Sequence, residues 1–276
     1  MQHARQQGVD RLDAQILLCT VLHKPHSWLI AHDSDLLAAS DQARFLDFLQ
    51  RRLDGEPVAY IVGDKAFFGL NLAVSPDVLI PRPDTETLVE WAIDVLNAAH
   101  PVGPANSTEP HPAWVLDLGT GSGAIALAIQ HQRPDAQVTA VDASEAALHM
   151  AQSNATKLNL PVRFLHGSWL TPVAGERFDL IVSNPPYIAD DDPHMAALSH
   201  EPRQALTSGP DGLDDLRQII AAAPSHLSSG GWLLLEHGYD QAVAVAQLLV
   251  TQGFINVSTR FDLGGQPRCT GGQKPD

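Results

Sequence analysis

The sequence predicts an α/β protein, a parallel sheet with crossover helices behind a small helical domain, and three observations carry that reading. From Trp114 onward, short apolar runs alternate with stretches of helical periodicity, the pattern of strands joined by crossover helices. One of those runs, residues 115–118, breaks into a turn containing three glycines, Gly119, Gly121 and Gly123. Before residue 64, by contrast, apolar residues recur at helical spacing.

Taken in order, Leu12, Ile16, Leu17 and Val21 predict a helix over residues 11–22, and Phe45, Leu46, Phe48 and Leu49 predict a second one starting near Asp41. Residues 1–64 therefore read as a helical domain. Residues 66–74 carry short apolar runs around Gly69-Leu70-Asn71 and read as a hairpin within a linker over 65–83. In Ile80-Pro81-Arg82-Pro83 two prolines hold the chain extended until Asp84 or Thr85 can cap a helix bearing Leu88, Val89, Trp91, Ala92 and Val95. That helix opens a second domain over 84–276. Residues 98–113, rich in Pro, Ala and small polar residues, read as a loop. Strands follow at 115–118, 138–141, 162–165, 178–182 and 232–235, with helices near 124–129, 145–154, 214–222 and 241–249.

The composition narrows the class. With 276 residues, 44% hydrophobic and 18% charged, the chain reads as a soluble globular protein of one large or two modest domains. A formal net charge of −15 argues against a general phosphate-binding surface, so stable nucleic-acid binding is not expected. Cys19 and Cys269 alone supply neither a disulfide framework nor a cysteine metal site, and a reducing cytoplasm fits. The thirteen histidines are scattered without metal-ligand spacing, so no metal is expected. The N-terminus lacks the long apolar core of a secretory signal, and no stretch approaches the roughly 20 apolar residues of a membrane span.

Two stretches carry chemistry. In Gly119-Thr120-Gly121-Ser122-Gly123 the glycines let the backbone turn tightly and bring a ligand close to a strand end and the following helix. The spacing is Gly-x-Gly-x-Gly, which suits a nucleoside without a pyrophosphate; a plain strand-to-helix turn is the alternative. Asp142 closes the next strand, where a carboxylate can accept both ribose hydroxyls or simply cap a helix. The second stretch is Asn184-Pro185-Pro186-Tyr187 after the apolar run 178–182. A buried strand that stops at a polar residue and two prolines delivers a rigid loop at a sheet end, although alone it is also an ordinary turn.

Together these stretches resemble S-adenosylmethionine-dependent methyltransferases that act on a planar nitrogen conjugated to a carbonyl or ring. Further motifs, Gly55-Glu56-Pro57-Val58-Ala59-Tyr60-Ile61, Leu79-Ile80-Pro81-Arg82-Pro83-Asp84-Thr85-Glu86, Glu201-Pro202 with Ala205-Leu206, and Leu235-Glu236-His237-Gly238, are similar in order to the peptide-chain release factor protein-(glutamine) methyltransferases, PrmC or HemK. The resemblance covers nearly the whole chain. It implies a Rossmann-like class I methyltransferase sheet behind an N-terminal substrate-recognition domain. It implies transfer of a methyl group from S-adenosyl-L-methionine to the side-chain amide nitrogen of the glutamine in the Gly-Gly-Gln loop of class I release factors, a protein methylation in translation termination. Gly119, Thr120, Gly121, Ser122, Gly123, Asp142, Trp169 and Asn184 would contact the cofactor, Trp169 beside the adenine. Asn184, Pro185, Pro186 and Tyr187 would hold the glutamine. The Asn184 side-chain oxygen and the Pro185 carbonyl would be the catalytic acceptors of its N–H bonds.

Arg82 and Thr85 are further candidates for the cofactor pocket. Where the family has an acidic residue before that tryptophan this chain has Ser168, and its first helix begins early, at Arg11. Two other readings share these stretches. One is a nucleic-acid exocyclic-amine methyltransferase, since the same acceptors could hold a flipped base; the other is a non-catalytic release-factor-binding protein. The tripeptides Gly264-Gly265-Gln266 and Gly271-Gly272-Gln273 read as turns.

Overall fold

The computed structural model describes Ala4, residues 6–101 and residues 112–276, so most of the loop expected at 98–113, and the N-terminal residues 1–3 and 5, lie outside the described residues. The chain divides into two compact units, residues 1–64 with 74–76, and residues 65–73 with 77–276. Among the described residues no helix is long and apolar enough to cross a membrane.

The first unit holds α1 (Arg11–Leu22), α2 (His26–Ala31), α3 (Ala39–Leu53) and α4 (Val58–Val62). Asp10 starts α1 by accepting the Leu12 N–H at 2.7 Å, and His23, left-handed at φ 52°, ends it. The predicted apolar stripes meet only in part, because Leu12, Ile16 and Leu46 stay 61%, 39% and 40% exposed. Leu17 and Val21 of α1, Phe45 and Leu49 of α3 and Ile61 of α4 form one buried cluster, and Arg52 bonds Asp13 at 2.8 Å across the same pair of helices. The short α2 and α4 escape a periodicity reading because five or six residues complete less than two turns.

The strands β1 (Asp64–Phe67) and β2 (Leu70–Ala73) form the expected hairpin, but its turn is Phe68-Gly69, one residue earlier than the glycine suggested. Both residues have positive φ, 47° and 78°, as a tight two-residue hairpin turn requires. A 3₁₀ turn, Pro83–Thr85, then leads into α5 (Glu86–Ala99). Neither Asp84 nor Thr85 caps that helix through its side chain, contrary to the expectation.

The main sheet has seven strands. In chain order the elements are β3 (Trp114–Leu118), α6 (Ala124–Gln132), β4 (Gln137–Asp142), α7 (Glu145–Leu158), β5 (Val162–His166), β6 (Phe178–Ser183), α8 (Asp214–His226), β7 (Leu227–Glu236), α9 (Ala242–Thr251), β8 (Ile255–Phe261) and β9 (Pro267–Gln273). Their spatial order is β5-β4-β3-β6-β7-β9-β8. The first five are parallel and β9 is antiparallel to both neighbours, which amends the all-parallel expectation.

Alternate residues of each central strand feed opposite faces. Val115, Leu180, Val182 and Leu234 face the cluster that includes residues of α5 and α6, whereas Leu116, Ile181, Leu233 and Leu235 face the one built with α8 and α9. Burial on both faces explains why these strands read as continuous apolar runs. The sheet order reverses between β3 and β6, and there the carboxyl ends of two adjacent strands open a crevice.

Asn154 of α7 ties hairpin and sheet together. Fully buried, it accepts the Ala73 N–H at 2.7 Å and donates to the carbonyls of Ala73 at 3.0 Å and Ser122 at 2.9 Å. Asn154→Ala should lower the unfolding free energy by about 3 kcal/mol, since it strands buried backbone groups that cost roughly 1–3 kcal/mol each. Urea titration reads this directly.

Candidate active site

The crevice between β3 and β6 is a cavity of about 330 Å³, the size of a small-ligand site. Its floor is the glycine turn. Gly119 and Thr120 both donate their N–H to the Val141 carbonyl, at 2.9 and 3.0 Å, so the turn folds back over the end of β4. Gly119, Gly121 and Gly123 all take positive φ. At Gly119 a Cβ would stand 3.3 Å from the Trp169 ring, so only glycine lets that ring settle on the turn without displacement. Trp169 itself is held left-handed at φ 47°, an uncommon conformation for a bulky residue and one met at ligand sites.

Asp142 ends β4 at the cavity wall. Its Oδ2 accepts the Gly121 N–H at 2.8 Å and its Oδ1 the Ser144 N–H at 2.8 Å. Burial pushes its pKa up, and the backbone N–H groups of Ser144, Gly121 and Ala143 pull it back. The carboxylate thus shapes the glycine turn and also presents acceptor capacity to the cavity. Asp117, fully buried behind the turn, accepts from the Thr120 hydroxyl at 2.6 Å and the Ala126 N–H at 3.2 Å. Burial drives its pKa up to about 7.

On the opposite wall β6 ends in Ser183, whose hydroxyl donates to the Leu118 carbonyl at 2.7 Å and locks the two strand ends together. Asn184 follows and lines the cavity. Its Nδ2 donates to the Thr85 hydroxyl at 3.3 Å. Pro186 also lines the cavity, as do Arg82, Thr85 and Ser168. Arg82 is held in an ion pair with Glu201, whose other oxygen accepts the Ile80 N–H at 3.3 Å.

The structure therefore gathers Gly119, Thr120, Gly121, Ser122, Asp142, Trp169, Asn184 and Pro186 around one space. Gly123, Pro185 and Tyr187 are not among the residues that line it. Gly123 sits behind the turn at the start of α6, where a Cβ would meet Leu127 at 3.0 Å and Ala151 at 3.2 Å. Pro185 is buried. Tyr187 turns its hydroxyl away to donate to Glu236 Oε1 at 3.3 Å, and its carbonyl accepts from Gln241 Nε2 at 2.9 Å.

Glu236 is the residue that composition and spacing did not single out. It ends β7 with 1% of its surface exposed, and its Oε2 has no hydrogen-bond partner. The available signals were a carboxylate closing the apolar run 232–235 and the place of Glu236 in the Leu235-Glu236-His237-Gly238 stretch.

Residues 3–63 match the PrmC N-terminal domain, and residues 106–247 match the Methyltransferase small domain. A Xylella fastidiosa protein named Release factor glutamine methyltransferase is 48% identical over 275 residues, covering 99% of this chain and 96% of that protein. Proteins of the same name from Pseudomonas aeruginosa and Coxiella burnetii are 48% and 46% identical, covering 95% and 94% of this chain and 92% and 90% of their own. Among solved structures, a methyltransferase from Pyrococcus furiosus superposes with a TM-score of 0.56 at 20% identity, covering 87% of this chain and all of that one. The N-terminal domain of human METTL16 in complex with SAH does so at 0.54 and 17%, covering 86% of this chain and 82% of its own. At such identities the structural likeness is one of fold.

Proposed function

The chain belongs to the release factor glutamine methyltransferases, and from that premise we propose which of its residues hold the two reactants and how. The enzyme methylates a release factor glutamine with S-adenosylmethionine as donor. The finer assignment, to the glutamine of the Gly-Gly-Gln loop in class I factors, is our reading.

The residues present fit the cofactor. A cavity of nucleoside size carries a carboxylate for ribose hydroxyls in Asp142, an aromatic face in Trp169, apolar walls from Ile125, Val141 and Ala147, and a glycine turn without side chains to obstruct approach. When bound there, the cofactor supplies an electrophilic methyl group. The chain's task is then to present a poor nucleophile, because an amide nitrogen shares its lone pair with the carbonyl. Asn184 Oδ1 accepts one substrate N–H and the Pro185 carbonyl the other. This orients the nitrogen and stabilises positive charge as it develops there; as the N–CH₃ bond forms, the S–CH₃ bond breaks to leave S-adenosylhomocysteine, and one N–H proton passes to solvent to give N-methylglutamine. Pro185 and Pro186 stiffen the pair of acceptors. Tyr187 serves the substrate loop through its backbone position, with its side chain committed to Glu236.

The observation that carries this reading is the placing of the Asn184 carboxamide, its nitrogen already bonded, on the wall of the same cavity as Asp142 and the glycine turn. The test is incubation with methyl-labelled cofactor and a release factor, the same factor with its loop glutamine replaced, bulk DNA and bulk RNA. Label is expected on the intact factor alone. Label on nucleic acid with none on the factor would overturn it, and the net charge of −15 speaks for the expected outcome.

The helical unit is proposed to dock the release factor, and the protein to work in the cytoplasm beside it. Leu12 and Ile16, one turn apart on α1, are 61% and 39% exposed. Changing both to Ser should raise KM for the factor about tenfold, the equivalent of the roughly 1.4 kcal/mol lost with buried apolar area at an interface. Turnover at saturation and cofactor affinity should stay near normal.

A further inference from the structure

A carboxamide presents an oxygen and a nitrogen of nearly equal size, so which of them faces a ligand is decided by the hydrogen bonds around it. For Asn184 that choice is functional, because only the oxygen can accept a substrate N–H. Resting on the reading that Asn184 receives that N–H, we propose that Glu236 and Thr85 form a buried relay that fixes the Asn184 carboxamide with its oxygen toward the substrate.

The geometry runs inward from the cavity wall. Asn184 Nδ2 lies 3.3 Å from Thr85 Oγ1. Thr85 is 4% exposed, and its hydroxyl acts on the Glu236 carboxylate as a neighbour that lowers that group's pKa. That carboxylate is 1% exposed; Tyr187 donates to its Oε1 at 3.3 Å, and its Oε2 is buried with no hydrogen-bond partner, the open acceptor to which the proposal assigns the Thr85 proton. An ionised carboxylate only accepts. Thr85 has a single proton, and once it is given to Glu236 the hydroxyl oxygen can only accept from Asn184. The amide NH₂ is thereby held on the Thr85 side and the amide oxygen on the other. The three residues come from the ends of β6 and β7 and from the 3₁₀ turn before α5, so the relay also joins three elements at the mouth of the crevice.

The relay works only while Glu236 is ionised. Burial raises its pKa to about 7, and Asp84 on the same turn pushes in that direction, while Thr85, Arg268 on β9 and Tyr187 on the loop after β6 oppose it. Cys269, paired with Glu236 across β7 and β9, also faces it. A protonated Glu236 has its own proton to donate. Thr85 is then free to donate to Asn184, and the reversed carboxamide, which offers the substrate a donor, is no longer excluded. Turnover should therefore fall as pH drops through about 7.

The experiment measures kcat, KM for the release factor and cofactor Kd from pH 6 to 9 for the wild type, Thr85→Val, Thr85→Ser, Glu236→Gln and Asn184→Ala. Thr85→Val and Glu236→Gln should each lower kcat by about 10- to 100-fold, the scale of a misdirected preorganised contact. Cofactor Kd should change much less than kcat, and Thr85→Ser should recover most of the rate because it restores the hydroxyl. Glu236→Gln should also lose the fall in kcat below pH 7. A merely structural role would move neither the pH profile nor the Ser rescue. If Thr85→Val or Glu236→Gln keeps normal kcat while Asn184→Ala is slow, the relay is wrong and the acceptor role stands. A near-normal Asn184→Ala removes both. Should Glu236→Gln fail to fold, the Val and Ser pair at Thr85 decides alone.

Discussion

Asn184→Ala is expected to slow methyl transfer by about 10²–10³-fold, the loss met when one preorganised polar contact to a developing charge is removed. The size follows from where the residue stands. Asn184 lines the cavity directly after a strand whose last residue, Ser183, is bolted to Leu118 at 2.7 Å, so its backbone cannot drift to compensate. Its nitrogen is bonded to Thr85, and in the proposed role its oxygen would meet the substrate N–H with little reorganisation. A truncated side chain leaves the Pro185 carbonyl as the sole acceptor, which cannot fix the rotation of the substrate amide. The measurement is single-turnover transfer to a release factor with both reactants saturating, and near-normal turnover would refute the acceptor role. The cofactor Kd should change much less than the rate.

Asp142→Ala is expected to weaken S-adenosylmethionine binding by about 10²–10³-fold. Hydrogen bonds to a charged group are worth roughly 1.5–3 kcal/mol each, and about 1.4 kcal/mol is a factor of ten. Two losses combine. The ribose loses its acceptor, and the Gly121 and Ser144 N–H groups lose the carboxylate they hold at 2.8 Å, so the glycine turn is released as well. Asp142→Asn keeps the shape and one acceptor, and it should fall between the two, near tenfold. Calorimetry against the cofactor separates them; an unchanged Kd in Asp142→Ala would contradict the assignment. Turnover at saturating cofactor should be less affected than affinity, the reverse of Asn184→Ala. That crossed pattern distinguishes cofactor binding from substrate orientation.

Much of this site is written locally. The glycine turn, Asp142 and the Asn184 loop each sit where an apolar run stops, and such stops are chemical: glycines that permit positive φ, prolines that cannot continue a ladder, a carboxylate that is costly to bury without hydrogen-bond donors. Parallel alternation then brings strand ends to one edge without further information. The two unpredicted strands show the opposite case. β8 is exposed or half-exposed along its whole length, so it lacks a clear apolar face. In β9, Gly271 looks like a turn residue but is a packing residue, since a Cβ there would stand 2.5 Å from Leu234 Cδ2 and 2.8 Å from the Leu233 carbonyl. Gly264-Gly265-Gln266, with the same letters, does form the turn between those strands, closed by Asp262 N–H to the Gln266 carbonyl at 2.9 Å.

The sequence by itself determined the fold class and marked the glycine turn, Asp142 and the Asn184 loop as strand-end breaks, because periodicity and chain-breaking residues act over a few positions. Tertiary structure alone decided that Asn184 bonds Thr85 from 99 residues away, that Tyr187 points at Glu236 rather than into the cavity, and that Asn154 holds hairpin and glycine turn together. A lone threonine, glutamate or asparagine carries no local signal of its partner. What makes such residues matter is burial without water, and burial is a property of the packed sheet and helices, fixed only once every strand has found its neighbour.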